Sequence, residues 1–121
     1  SDYPKKVVSY LSCLNDELPS TLAKDLPNLT AILRELSSQC SFDSPATLQG
    51  SNKDNLDFDF EDESGNTVTL CCEPHLKFHI NDKGETLSKS NPQNHKRIYF
   101  HVGQENIHSS KILVGHIDDH L

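Results

Sequence analysis

The residues best able to do chemistry gather in the second half of the chain. Thr67 to Ile80 reads TVTLCCEPHLKFHI, and Glu73, His75, Lys77 and His79 interleave there with Leu76, Phe78 and Ile80. Imidazole and carboxylate are good ligands for Zn²⁺ and similar ions. On an extended strand Glu73 and His75 lie about 6.6 Å apart and could share an ion, whereas His75 and His79 lie about 13 Å apart and could not. A metal centre would therefore take Glu73 or His75 together with His101 or His116 from a neighbouring strand. A divalent metal is the one cofactor these residues suggest, and no other is expected.

A second group is acidic. Leu56 to Glu61 alternates so that Asp57, Asp59 and Glu61 share one face and Leu56, Phe58 and Phe60 the other. Like charges in a row are tolerated most cheaply in water, around a cation, or against a basic partner. The run lacks the EF-hand loop pattern, so a solvated face that discourages edge pairing is the plainer reading. A third group is His116-x-x-x-His120, which would share a face only on a helix. No Gly-x-Ser-x-Gly, Gly-rich phosphate loop or Walker pattern is present. Cys71 and His75 are too far apart along a strand to form a thiol–imidazole pair unless Pro74 folds the chain sharply.

The elements that must position these groups are legible from periodicity. Val7, Val8, Leu11, Leu14 and Leu18 form one helical stripe from Pro4 to Leu18, with Asp2 as cap and Pro19 as terminator. Leu22, Leu26, Leu29, Leu33 and Leu36 form another. Pro27 should break it, so the longer piece runs over about 27–38 behind an Asp25 cap. Residues 37–54 are small and polar, with Phe42 and Leu48 as anchors and a short edge strand near Ala46–Gln49. Leu56–Glu61 and Thr67 onward make a hairpin around Asp62–Asn66. Thr67–Ile80 is too long for one straight strand in so small a domain, and Pro74 breaks it near 67–73 and 75–80. Asn81–Glu85 is a turn and residues 86–95, around Asn91-Pro92, a polar loop. A strand follows with Ile98, Phe100 and Val102 alternating with Tyr99 and His101. Ile112-Leu113-Val114, apolar on both faces, reads as an internal strand.

Helices followed by strands indicate a single α+β domain over 1–121: two N-terminal helices, about 4–38, on one face of a four- to five-stranded antiparallel sheet, about 55–117. The opposite face would carry Asp57, Asp59, Thr69, Glu73, His75, Lys77, Tyr99 and His101. At 121 residues the chain suits one domain, and 34% hydrophobic content makes its core modest. No apolar run is long enough to span a bilayer and none follows the start as a signal peptide would. The chain opens with Ser1 and holds no Met, which points to a removed initiator or a trimmed start. A net charge of −7 disfavours contact with phosphate backbones, so a protein partner or a second copy is expected rather than nucleic acid or membrane. Cys13, Cys40, Cys71 and Cys72 show no C-x-x-C spacing, which reads as reduced thiols in a cytoplasmic protein.

Two helices ahead of an antiparallel sheet, with Lys96, Arg97, Tyr99 and His101 on a late strand, resembles the layout of the small RelE-type toxins that cut messenger RNA. That resemblance implies a ribonuclease or small hydrolase using His, Tyr and Arg groups, with or without a metal. The residues themselves favour an acidic, non-catalytic binding or accessory protein. It would act through the polar sheet face, with Asp57, Asp59, Lys77 and Tyr99 as contacts, or through a sheet edge. An enzyme would bring His75, His101 and His116 into one concave pocket near a carboxylate. A binding module would leave them apart.

Overall fold

The computed structural model describes residues 2–48, 53–81, 83–88 and 95–118. Two helices, α1 (Asp2–Leu22) and α2 (Leu29–Gln39), precede five strands: β1 (Asp57–Glu61), β2 (Thr67–Cys71), β3 (His75–Lys77), β4 (Arg97–His101) and β5 (Leu113–Asp118). The class is α+β, as expected, and all strand pairs are antiparallel. The strands divide between two sheets, a β1–β2 hairpin and a three-stranded sheet in the order β3–β4–β5. The loop around Asn91-Pro92, Gln49 and His120 lie outside the described residues.

The helix boundaries differ from those read off the sequence. Pro19 does not end α1, which continues to Leu22. A proline this near the C-terminus forfeits little of the ladder. Leu18 and Thr21 are fully buried around it, and the Thr21 hydroxyl donates to the Glu17 carbonyl at 2.8 Å. The cap of α2 is Asn28, not Asp25; its side chain accepts from Ala31 N at 2.8 Å. Asp25 instead takes a left-handed conformation in the link (φ 55°), which Asp tolerates better than most residues.

The four-thiol reading also needs correction, because Cys13 and Cys40 form a disulfide that ties α1 to the end of α2, with Cα atoms 6.2 Å apart. Cys71 and Cys72 lie outside this bridge, the first exposed and the second buried. Spacing alone could not choose this pairing, since four cysteines allow three connectivities.

Pro74 does more than bend a strand. It carries the chain from one sheet to the other. Before it, Thr67–Cys71 pairs with β1; after it, His75–Lys77 pairs with β4, and the Pro74 carbonyl accepts from Phe100 N at 2.9 Å. The three-stranded sheet is consequently buried on both faces. Leu76, Phe78, Ile98 and Phe100 pack on the helices through Tyr10, Leu14, Leu18, Leu33 and Leu36. Tyr99, on the opposite face, packs with Leu56, Cys72, Phe58 and Phe60. The hairpin approaches closely at Gly115, where a Cβ would lie 2.6 Å from Phe58 Cδ2 and 3.0 Å from Cys72 Sγ. Gly115 is also the extra residue where the β4–β5 register shifts.

The sheet's two edges differ. Thr47 covers β3 by exchanging backbone hydrogen bonds with His75 at 3.2 and 3.0 Å, the short edge contact expected near Ala46. The last strand was expected inside a sheet, but β5 is an edge: among the described residues nothing pairs with its outer side. Its apolar residues on both faces answer to α1 on one side and to the hairpin on the other.

The disulfide should contribute strongly to stability. Its closure spans a sequence separation of 27, for which loss of unfolded-chain entropy gives about 3–4 kcal/mol. Reductant, or the double substitution C13S/C40S, is expected to lower the Tm of the chain. An unchanged melting curve would refute this.

Candidate functional site

Strand register builds a polar row on the face of the three-stranded sheet that the hairpin covers. His75 stands opposite Tyr99, and Tyr99 opposite His116. Directly opposed residues of an antiparallel pair share a face, so the rings line up across the sheet, with centroids 5.3 and 6.1 Å apart. Arg97, two residues before Tyr99, joins the row: its Nη1 lies 3.1 Å from His75 Nε2, and its guanidinium also hydrogen-bonds the Tyr99 hydroxyl. Thr47 Oγ1 lies 3.3 Å from the same His75 nitrogen.

This arrangement fixes the protonation of His75. A guanidinium can only donate, so Nε2 must accept. Nδ1 lies 3.1 Å from the Glu73 carbonyl, which can only accept, so Nδ1 carries the hydrogen. His75 is therefore neutral, in the Nδ1–H tautomer. Burial lowers the basicity of Arg97, and the Tyr99 hydroxyl partly offsets it; an arginine stays charged through such a shift. Burial, then the charge of Arg97, also lowers the pKa of the neighbouring Lys77.

The face expected to be wet is thus dry. His75 is 3% exposed, Arg97 4% and Tyr99 0%. Of the residues singled out by sequence, the structure brings together His75, Tyr99 and His116, with Lys77 opposite Arg97 at the row's end. Glu73 reaches His75 through its backbone carbonyl. His101 stands further along β4, opposite Leu113, where its Nδ1 accepts from Gly103 N at 3.1 Å. Asp57 and Asp59 lie on the exposed outer face of the hairpin, in a different sheet, and Asp59 accepts from the Thr69 hydroxyl at 2.6 Å. Among the described residues no three His, Cys, Asp or Glu side chains are grouped to hold a metal ion. His116 lies on a strand, so the helical chelate with His120 does not arise there.

A second polar node, which the sequence did not suggest, joins α1, the loop after α2 and the residues after β3. Asp43 accepts from Lys6 Nζ at 2.8 and 2.9 Å and from His79 N at 2.8 Å, and its own N–H donates to the Tyr10 hydroxyl at 2.6 Å. Burial alone would raise the Asp43 pKa, but these donors outweigh it and lower it. The neighbouring Ser44 Oγ lies 2.6 Å from His79 Nε2. These partners are 33 to 37 residues apart, and no local pattern marks them.

Apolar exposure is concentrated elsewhere. The four large hydrophobic residues most exposed among those described are Val8 (62%), Leu22 (38%), Val114 (38%) and Ile117 (36%). All four lie on α1 or β5. These elements run side by side: the Tyr3 hydroxyl donates to Asp118 at 3.3 Å, and Leu11 and Leu14 line a cleft of about 170 Å³ with Ile112 and Val114. A second cleft, about 230 Å³, lies between Pro19, Leu22 and Ile112. The open edge of β5 is therefore flanked by an apolar strip. Comparison with protein-family models, curated proteins and solved structures found no match to this chain.

The half-buried imidazole of His101 makes the fold sensitive to acid. Burial lowers its pKa, so it takes up a proton more readily once unfolded. Stability should be full above the unfolded histidine value, about 6.5, and fall as pH drops below it toward the folded value. Urea melts across this range should show the decline, and H101N should flatten it. A curve unchanged down to about pH 5 would contradict this.

Proposed function

We propose that the chain is a non-catalytic binding or accessory protein that engages another polypeptide through the β5 edge and its flanking apolar strip. The observation that carries this reading is the coincidence, among the described residues, of a strand edge with no pairing strand and the most exposed hydrophobic residues, Val8, Leu22, Val114 and Ile117. An open edge offers backbone donors and acceptors to an added strand, and neighbouring apolar positions supply selectivity. The burial of Arg97 and Tyr99 supports this reading over a RelE-like ribonuclease, which needs such groups at its surface. The exposed acidic row Asp57, Asp59 and Glu61 keeps the hairpin's outer face unfavourable to nucleic acid. Among the described residues no helix is long and apolar enough to cross a membrane. The cytoplasmic expectation rested on reduced thiols, whereas the Cys13–Cys40 disulfide supports an oxidising compartment.

A random-peptide display selection against the chain tests the contact surface. Enriched peptides should bind V8E/V114K at least about tenfold more weakly, a loss of roughly 1.4 kcal/mol, while D57N/D59N binds as before. The reading fails if the enriched peptides ignore the first pair of substitutions or depend on the second.

A further inference from the structure

We propose that the occupant of the β5 edge is the β5 edge of a second copy, paired antiparallel about a two-fold axis. This rests on the reading of that edge as the contact surface. Val114 and Ile117 stand opposite Phe100 and Ile98 and so face the helices, as does Ile112; Leu113 and His116 stand opposite His101 and Tyr99 and face the hairpin. The bulge at Gly115 sets this pattern. Without it, Leu113 and Ile117 would share a face.

In an antiparallel pair, opposed residues must share a face. For β5 against itself, residues on opposite sides of the bulge share a face only when their numbers add to an odd sum. One such register sets Ile112 against Ile117 and Leu113 against His116. It also sets the exposed Lys111 of each copy against Asp118 of the other. Asp118 is half exposed, with a side-chain accessibility of 51% and an ion pair to Lys96 within its own chain. Shifting the pairing by two residues opposes Leu113 to Asp118 instead, an apolar group to a charge. Charge also favours this edge over others. Two copies of a chain carrying −7 repel, but the acidic row lies on the hairpin's outer face and Lys111 meets its complement here. The pairing would turn two three-stranded sheets into one of six and would place Val114 of both copies beside the axis.

Sedimentation of the full chain over a dilution series, together with a crosslink, tests this. The wild type should form a dimer that dissociates on dilution, and V114K should weaken it at least about tenfold. In a C71S background, K111C/D118C should yield a reducible covalent dimer on mild oxidation. Within one chain these positions are about 23 Å apart along an extended strand, too far for a disulfide. A chain monomeric at every concentration overturns the proposal, as does a dimer indifferent to V114K. A V114K-sensitive dimer without the crosslink overturns the register. A monomer whose peptide binding is still lost in V8E/V114K would sink self-pairing alone and leave the contact surface standing.

Discussion

A buried guanidinium governs this fold. Arg97 lies between two sheets, where an unsolvated cation is costly unless its hydrogens are taken up. Two neighbours that accept some of them are fixed by strand register: His75 on β3 and Tyr99 two residues along β4 itself. This requirement propagates outward. His75 must be neutral, so its other nitrogen must donate, and the carbonyl of Glu73 is placed to receive it by the break at Pro74. Thr47 closes the same edge and contributes its hydroxyl to the same imidazole. A catalytic group needs access to substrate; this one is enclosed.

The enclosure comes from the hairpin. Phe58 and Phe60 would otherwise present an apolar face to water, and the row Arg97–Tyr99 would present a polar one. Packing the two together buries Tyr99, Leu56 and Cys72 at the seam and pushes the Cys72 thiol up to about 11, chiefly through burial. Gly115 allows that approach, since any side chain would meet the Phe58 ring. On its other face β5 holds Val114 and Ile117, which stay partly exposed at the sheet's edge.

Much of this was legible in the sequence, and the gaps have physical causes. Alternation correctly put Leu56, Phe58 and Phe60 opposite Asp57, Asp59 and Glu61, and Leu76 and Phe78 opposite His75 and Lys77. Turn chemistry placed both Asx-rich turns: Asp62 Oδ1 accepts from Ser64 N and Asn66 N, and Asn81 Oδ1 from Lys83 N and Glu85 N. Period-two patterning, however, separates two faces without saying which will be covered. The dryness of His75 and Tyr99 depends on the hairpin folding over them, a long-range event. The split into two sheets was hidden because Pro74 marks a break but not its direction. The disulfide, the Asp43 node and the Ser44–His79 contact join residues 27 to 37 positions apart, which no local signal reports.

His75 is a closed structural acceptor for Arg97 rather than an accessible acid or base. Nitrogen-15 NMR of the imidazoles in the folded chain at neutral pH tests it most directly. The structure predicts a neutral His75 with hydrogen on Nδ1 only, converted to a different state by R97M but unaffected by D57N/D59N. An imidazolium at His75, or hydrogen on Nε2, would contradict the account and return the row to the list of catalytic candidates.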